Sequence, residues 1–150
     1  MPKSTLTFFS LLMIILVAGA ITFGFYNVRK SQLQKSSEAF SVAFSQSFLT
    51  SWNLEFFKQH CSKEFCDKLS DEAFNLMFEN MKRIGNLQEI MEIESTIHDL
   101  FVLNSSASST TIVMKSSFQN ENGEIYLDLV QEDNTWKVNN LFINSAYLAD

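Results

Sequence analysis

Four pairs of side chains in this sequence are of types and spacings that could do chemistry. His98 stands beside Asp99, Tyr126 and Asp128 alternate along one stretch, His60 precedes Cys61, and Cys66 follows shortly after. Acid–base catalysis needs a proton donor and acceptor aimed at one point, and a thiol nucleophile needs a base within hydrogen-bond reach. Neighbouring positions rarely meet that need. Adjacent helical residues point about 100° apart, which separates His60 from Cys61. Adjacent strand residues face opposite sides, which separates His98 from Asp99 and puts His98 in phase with the polar Glu92 and Glu94. Tyr126 and Asp128 share a face, but it lies opposite Ile125, Leu127 and Leu129, which must be the buried set. The two cysteines lack the C-x-x-C spacing of redox and zinc sites, and no second pair completes a tetrahedral metal set. They read either as a local disulfide, if the domain is exported, or as two inert thiols, if it stays in the cytoplasm. No catalytic, cofactor-binding or metal-binding residues are expected. Asn104-Ser105-Ser106 matches a glycosylation acceptor, which matters only in a glycosylating compartment.

The elements that carry these residues begin with an uncharged run, Leu6 to Tyr26. Its roughly 21 residues make about 31 Å of helix, close to the hydrocarbon thickness of a bilayer. Lys3, the Leu11–Val17 core and Ala18-Gly19-Ala20 also satisfy the pattern of a cleaved secretory signal. Apolar residues continue beyond that point to Ile21, Phe23, Phe25 and Tyr26, so an uncleaved single-pass anchor is the favoured reading and secretion after cleavage the alternative. Counting Lys and Arg at the two ends favours a cytoplasmic domain by about one charge. A short amino-terminal tail before one anchor is the usual layout of an exported domain, and an extracytoplasmic, periplasmic placement is expected. The chain thus divides into an anchor at 1–27, a basic juxtamembrane linker at 28–35 and a domain at 36–150. Arg29, Lys30 and Lys35 are expected to touch lipid headgroups.

All 17 Asp and Glu fall after Ser36, with 7 of the 11 Lys and Arg, so the domain carries a net charge of −10. Phosphate backbones repel such a domain, and nucleic acid is excluded as an expected partner. Phe40, Phe44, Phe48 and Trp52 recur four apart and predict a first helix, flanked by small Ala39, Ala43 and Ser47 that would let something pack closely. Leu54, Phe57, Cys61 and Phe65 form the buried side of a second. Ser70 predicts the N-cap of a third, with Asp71 and Glu72 in its first turn, Lys82 and Arg83 in its last, and Gly85 ending it. Phe74, Met77, Phe78 and Met81 give that helix one apolar face. Beyond Gly85 the period changes to two. Strands are expected at Gln88–Val102, Thr110–Asn120, Glu124–Glu132 and Thr135–Ser145, joined by short turns into an antiparallel meander. Trp136 and Val138 are out of phase with Leu141 and Ile143, which predicts a bulge at Asn139-Asn140.

This α+β pattern, three helices packed on a curved four-stranded antiparallel sheet, resembles the NTF2-like (cystatin-like) superfamily. The residues that carry it are the aromatic first helix, Leu69-Ser70-Asp71-Glu72-Ala73-Phe74 through Ile84-Gly85, and the strand Trp136-Lys137-Val138 to Leu141-Phe142-Ile143. The resemblance spans Ser36 to Ser145 and is greatest to small membrane-anchored or secreted bacterial members. It implies helices on a concave sheet face, around a cone-shaped pocket. Its members include enzymes, ligand binders and assembly scaffolds, so it selects no activity. Eleven Phe after Ser36 are enough to fill the cone. The expected function is therefore a non-catalytic interaction module, a subunit or accessory factor of an envelope assembly. It would meet membrane lipid through its anchor and another envelope protein, or a second copy of itself, through its sheet. Ser116, Tyr126 and Asp128 are the expected contact surface, with Ser108, Thr110, Thr111 and Ser117 beside them. The alternative is a binder of a small apolar ligand or lipid, with Phe74, Met77, Phe78 and Met81 lining its pocket.

Overall fold

The computed structural model describes residues 3–98 and 108–149, with side chains described from Ser10 onward. Asp99, the far end of the first expected strand and Asn104-Ser105-Ser106 lie outside the described residues. The chain forms two compact units, Met1–Leu33 and Gln34–Asp150. The expected linker at 28–35 is helical, because α1 (Lys3–Ser51) contains it.

Within the first unit α1 is long and apolar enough to cross a membrane, with a mean hydropathy of 2.1 over its most apolar window and none of that window buried. Its polar side chains are satisfied on the helix itself. Thr22 Oγ1 donates to the Ala18 carbonyl at 2.8 Å and Asn27 Nδ2 to the Phe23 carbonyl at 3.1 Å. A medium without water demands such internal pairing. Arg29 and Lys30 are exposed on this unit, as is Lys35 on the other.

The second unit is α+β. Its helices are the later turns of α1, then α2 (Leu54–His60), α3 (Lys63–Lys68) and α4 (Asp71–Lys82). A four-stranded antiparallel meander follows, β1 (Leu87–His98), β2 (Ser109–Phe118), β3 (Asn122–Glu132) and β4 (Thr135–Asn144), in that spatial order. A short α5 (Ala146–Ala149) closes the chain. α1 ends where Trp52 takes φ +50°, a left-handed conformation rare for so large a residue. Burial of its ring and an edge contact with Phe48 at 5.5 Å hold it there. Asn53 and Ser70 cap α2 and α4 through side-chain bonds from Phe56 N and Ala73 N, and Gly85 follows α4 at φ +89°. That conformation suits glycine alone, and a Cβ there would come within 2.6 Å of Gln119 Cβ.

The expected second helix is broken in two. Cys61 and Ser62 leave the helical path to form a parallel bridge with β4, Ser62 N donating to Val138 O at 2.8 Å. The buried Ser62 hydroxyl then accepts from Phe65 N to cap α3 and donates to Asn139 Oδ1 at 2.7 Å. Lys58 and Asp71 form an ion pair between α2 and α4. Asp133 and Asn134, both at positive φ, make the two-residue β3–β4 turn, whose twist matches that of the strands. The expected bulge is present. Asp128 pairs with Asn140 and Leu129 with Val138, leaving Asn139 as the extra residue.

The core is aromatic. Phe44, Phe48, Phe57, Phe74 and Phe78 are fully or almost fully buried, with neighbouring ring centroids from 4.9 to 6.0 Å apart. Ile112, Met114, Ile125, Leu127, Leu129 and Val138 form the buried face of the sheet. The expected small stripe is the wrong one. Ala39, Ala43 and Ser47 are exposed, whereas Ser37, Ser41 and Ser45 are buried. Ser37 and Ser41 bond back to carbonyls of their own helix, while the Ser45 hydroxyl has no partner among the described residues. Both edge strands reach one turn of α1. Ser95 of β1 donates to Glu38 at 2.6 Å, and Trp136 Nε1 of β4 donates to Ser36 Oγ at 2.9 Å. Edge strands of a four-stranded sheet lie about 14 Å apart, so α1 with these side chains spans the width of the sheet.

Candidate functional site

The strand register fixes what the outer face of the sheet carries. Positions 92, 94, 96 and 98 of β1 lie beside 115, 113, 111 and 109 of β2. These continue to 124, 126, 128 and 130 of β3, and the first three rows to 144, 142 and 140 of β4. The middle rows matter most. One runs Thr96, Thr111, Asp128, Asn140 and the other Glu94, Val113, Tyr126, Phe142.

A hydrogen-bond chain joins the first of these to His98. Thr111 Oγ1 donates to Asp128 Oδ1 at 2.8 Å, so it can only accept from His98 Nε2–H at 3.2 Å. Asn140 Nδ2 donates to the other carboxylate oxygen at 3.3 Å. Acid, hydroxyl and imidazole are thus brought together, on the sheet face away from the core. In the second row the Tyr126 and Phe142 rings lie 5.9 Å apart. The Tyr126 hydroxyl donates to Glu124 Oε2 at 2.8 Å. That bond first, then partial burial and the nearby negative charge, pushes the phenol above its ordinary pKa and keeps it a donor. Lys115 pairs with Glu92 at 2.7 Å, and this bond raises the ammonium pKa.

Tyr126 and Asp128 therefore lie on the outer face, half-buried by their neighbours, and Asp128 is tied to its row. Ser116 does not join them. It is fully buried on the inner face, in phase with Ile112, Met114 and Phe118, and its hydroxyl turns to Met114 O at 3.3 Å. Ser108 and Thr110 are buried likewise, while Thr111 and Ser117 face outward.

The expected pocket lining also divides. Phe74 and Phe78 are core residues, their rings taken up by Phe57, Phe65 and Phe48. Met77 and Met81 line a cavity of about 490 Å³ with Asn80 of α4, Arg83 at its C-cap, residues 141–143 of β4, and Leu148 and Ala149 of α5. The sequence reading missed Arg83 and α5. A weak signal for α5 existed in Ser145, which accepts from Tyr147 N, although the bonds from Ser145 Oγ and Tyr147 N to Glu121 hold it in place.

Cys61 and Cys66 pair as a disulfide with Cα atoms 6.0 Å apart, a usual separation for one. His60 is structural. Its Nδ1 lies 2.8 Å from Phe56 O and its ring packs 4.3 Å from that of Phe56. Among the described residues no three His, Cys, Asp or Glu converge closely enough to hold a metal ion. No family model, curated protein or solved structure matches the chain.

Proposed function

We propose that this chain is a single-pass membrane protein whose domain, NTF2-like in kind, serves as a non-catalytic interaction module in an envelope assembly. Exposed Phe142, on the β4 edge of the sheet, carries the reading. It is 55 % exposed with its ring 5.9 Å from that of Tyr126, so the outer face of the sheet carries an aromatic pair outside the packed core, the residue type that interfaces favour. Two observations support the fold assignment: both edge strands of the sheet bond to one turn of α1, and α2 and α3 lie against β4. The apolar turns of α1 support the anchor. The Cys61–Cys66 disulfide supports a domain on the extracytoplasmic side, where thiols are oxidised.

Gentle detergent extraction of the native chain, with mass spectrometry of what accompanies it, tests this function. A stoichiometric protein partner or a homo-oligomer is the expected result. The cavity beside Met77 and Met81 favours a second reading, an apolar ligand site, since flexible thioethers suit adaptable pockets. A lone monomer carrying a bound lipid or small molecule would replace the first reading with the second.

A further inference from the structure

We propose that the cavity between α4, β4 and α5 binds an amphipathic anion of the long-chain carboxylate class, its apolar chain inside and its carboxylate on Arg83. This rests on the second reading above, the apolar ligand site, and names its ligand. At about 490 Å³ the space falls within the roughly 300–1,000 Å³ usual for small-molecule sites. Its lining grades outward. Met81, Leu141 and Ile143 are buried, Met77 and Leu148 are half-buried, and Arg83 is exposed. An occupant therefore meets hydrocarbon inside and one positive charge at the rim.

The guanidinium has no other task among the described residues. Arg83 closes α4 with its main chain alone, its N–H donating to Asn80 O at 3.4 Å and its carbonyl accepting from Asn120 Nδ2 at 2.9 Å. The neighbouring carbonyls already have donors: Met81 O from Ile84 N, Lys82 O from Gly85 N, and Ile84 O from Asn120 N. The helix end thus needs no cation to cap it. No described carboxylate pairs with Arg83. Those beside the cavity are engaged elsewhere, Glu79 with Lys82 at 3.1 Å and Glu121 with Ser145 Oγ at 2.9 Å and Tyr147 N at 2.8 Å.

Charge selects the class of ligand. The domain carries −10, yet no described lining residue is acidic and residues 138–149 hold no charge at all. A planar guanidinium takes a carboxylate through two parallel hydrogen bonds, and low-dielectric walls strengthen such a pair. A cationic amphiphile would meet Arg83 as a like charge. A neutral one would gain nothing from it.

The test uses the full chain in nanodiscs of zwitterionic phospholipid, which offer no competing anionic headgroup. The probe is palmitic acid carrying a diazirine in its chain, at about pH 8.5, where a carboxyl is ionised. Photolysis should place adducts on residues 77–83 and 141–148, mapped by mass spectrometry, and excess palmitate should remove them. The diazirine alcohol of equal chain length should label these peptides at least about tenfold less. Arg83→Gln should weaken labelling by the acid to the same degree, the loss of one charge-assisted contact. It should leave the unfolding midpoint unchanged; if that midpoint falls, the acid–alcohol ratio of the native chain decides alone. Met77→Trp, which fills the space, should abolish the adducts. Equal labelling by acid and alcohol overturns the anion proposal and leaves the apolar site standing. Labelling confined to the apolar turns of α1 overturns both. The interaction-module reading is judged separately, by the protein partner that does or does not accompany the native chain.

Discussion

Replacing Phe57 with alanine tests whether the inner side of the sheet is filled by the protein's own rings. Phe57 is fully buried, with the rings of Phe44, Phe48, Phe65, Phe74 and Phe78 at 5.1 to 6.0 Å. A Phe→Ala change in a core costs about 3–5 kcal/mol, more where the surroundings cannot close over the gap. Here α2 cannot slide inward, because the segment that follows it is bonded to Val138 and Asn139 of β4. The expected loss is therefore about 4–5 kcal/mol, a large share of the roughly 6–17 kcal/mol that a domain of this size holds. It should lower the midpoint of urea unfolding by about 2 M or more at unchanged slope. Fluorescence of buried Trp52 and Trp136 reports unfolding directly, with the full chain in one detergent throughout. Leu76→Ala, at a side chain 67 % exposed, is the control and should change stability by less than about 0.5 kcal/mol. A loss below about 1.5 kcal/mol for Phe57→Ala would refute the filled core and point to space already open beneath the sheet.

Three further outcomes are expected. Cys66→Ser should cost about 2 kcal/mol, the loop-closure contribution of so short a ring, and the same unfolding measurement under non-reducing conditions would reveal a null effect. Ser45→Ala should be neutral or stabilising by up to about 1 kcal/mol, since it removes a buried hydroxyl with no partner; a clear loss in the same assay would mean the hydroxyl is bonded. Glu72 bonds to its own backbone N–H and to Ser70, in that order, and these hold its pKa below the ordinary 4.5. Its contribution is present above pH 4.5 and lost as pH falls through the lower folded value. Glu72→Gln should flatten the acid limb of the stability–pH curve, and an unchanged limb would show that the carboxylate contributes nothing there.

The parts of this structure legible in the sequence are those set by local chemistry. The Ser70 cap, the left-handed Gly85, the Asn139 bulge and the outward phase of Tyr126 and Asp128 each follow from a few neighbouring residues. What was missed depends on partners distant in the chain. The break at Cys61-Ser62 exists because Val138 offers a carbonyl there. Which small stripe of α1 packs inward, Ser37-Ser41-Ser45 or Ala39-Ala43-Ser47, depends on a rotation that the sheet decides. Ser116 is different, because its shared parity with Ile112, Met114 and Phe118 was there to be read. Its hydroxyl obscured a phase that the strand period already fixed.

The bond from Trp136 to Ser36 spans 100 residues, and it bears on how the molecule is made. The Phe stripe of α1 is synthesised well before the strands that bury it. At the usual 5–20 residues per second, it waits roughly 5–20 s for Val138 and the rest of β4. During that interval Phe44 and Phe48 can already meet the rings of Phe57 and Phe78 on the later helices, so the aromatic cluster can gather first and the sheet then closes over its open side.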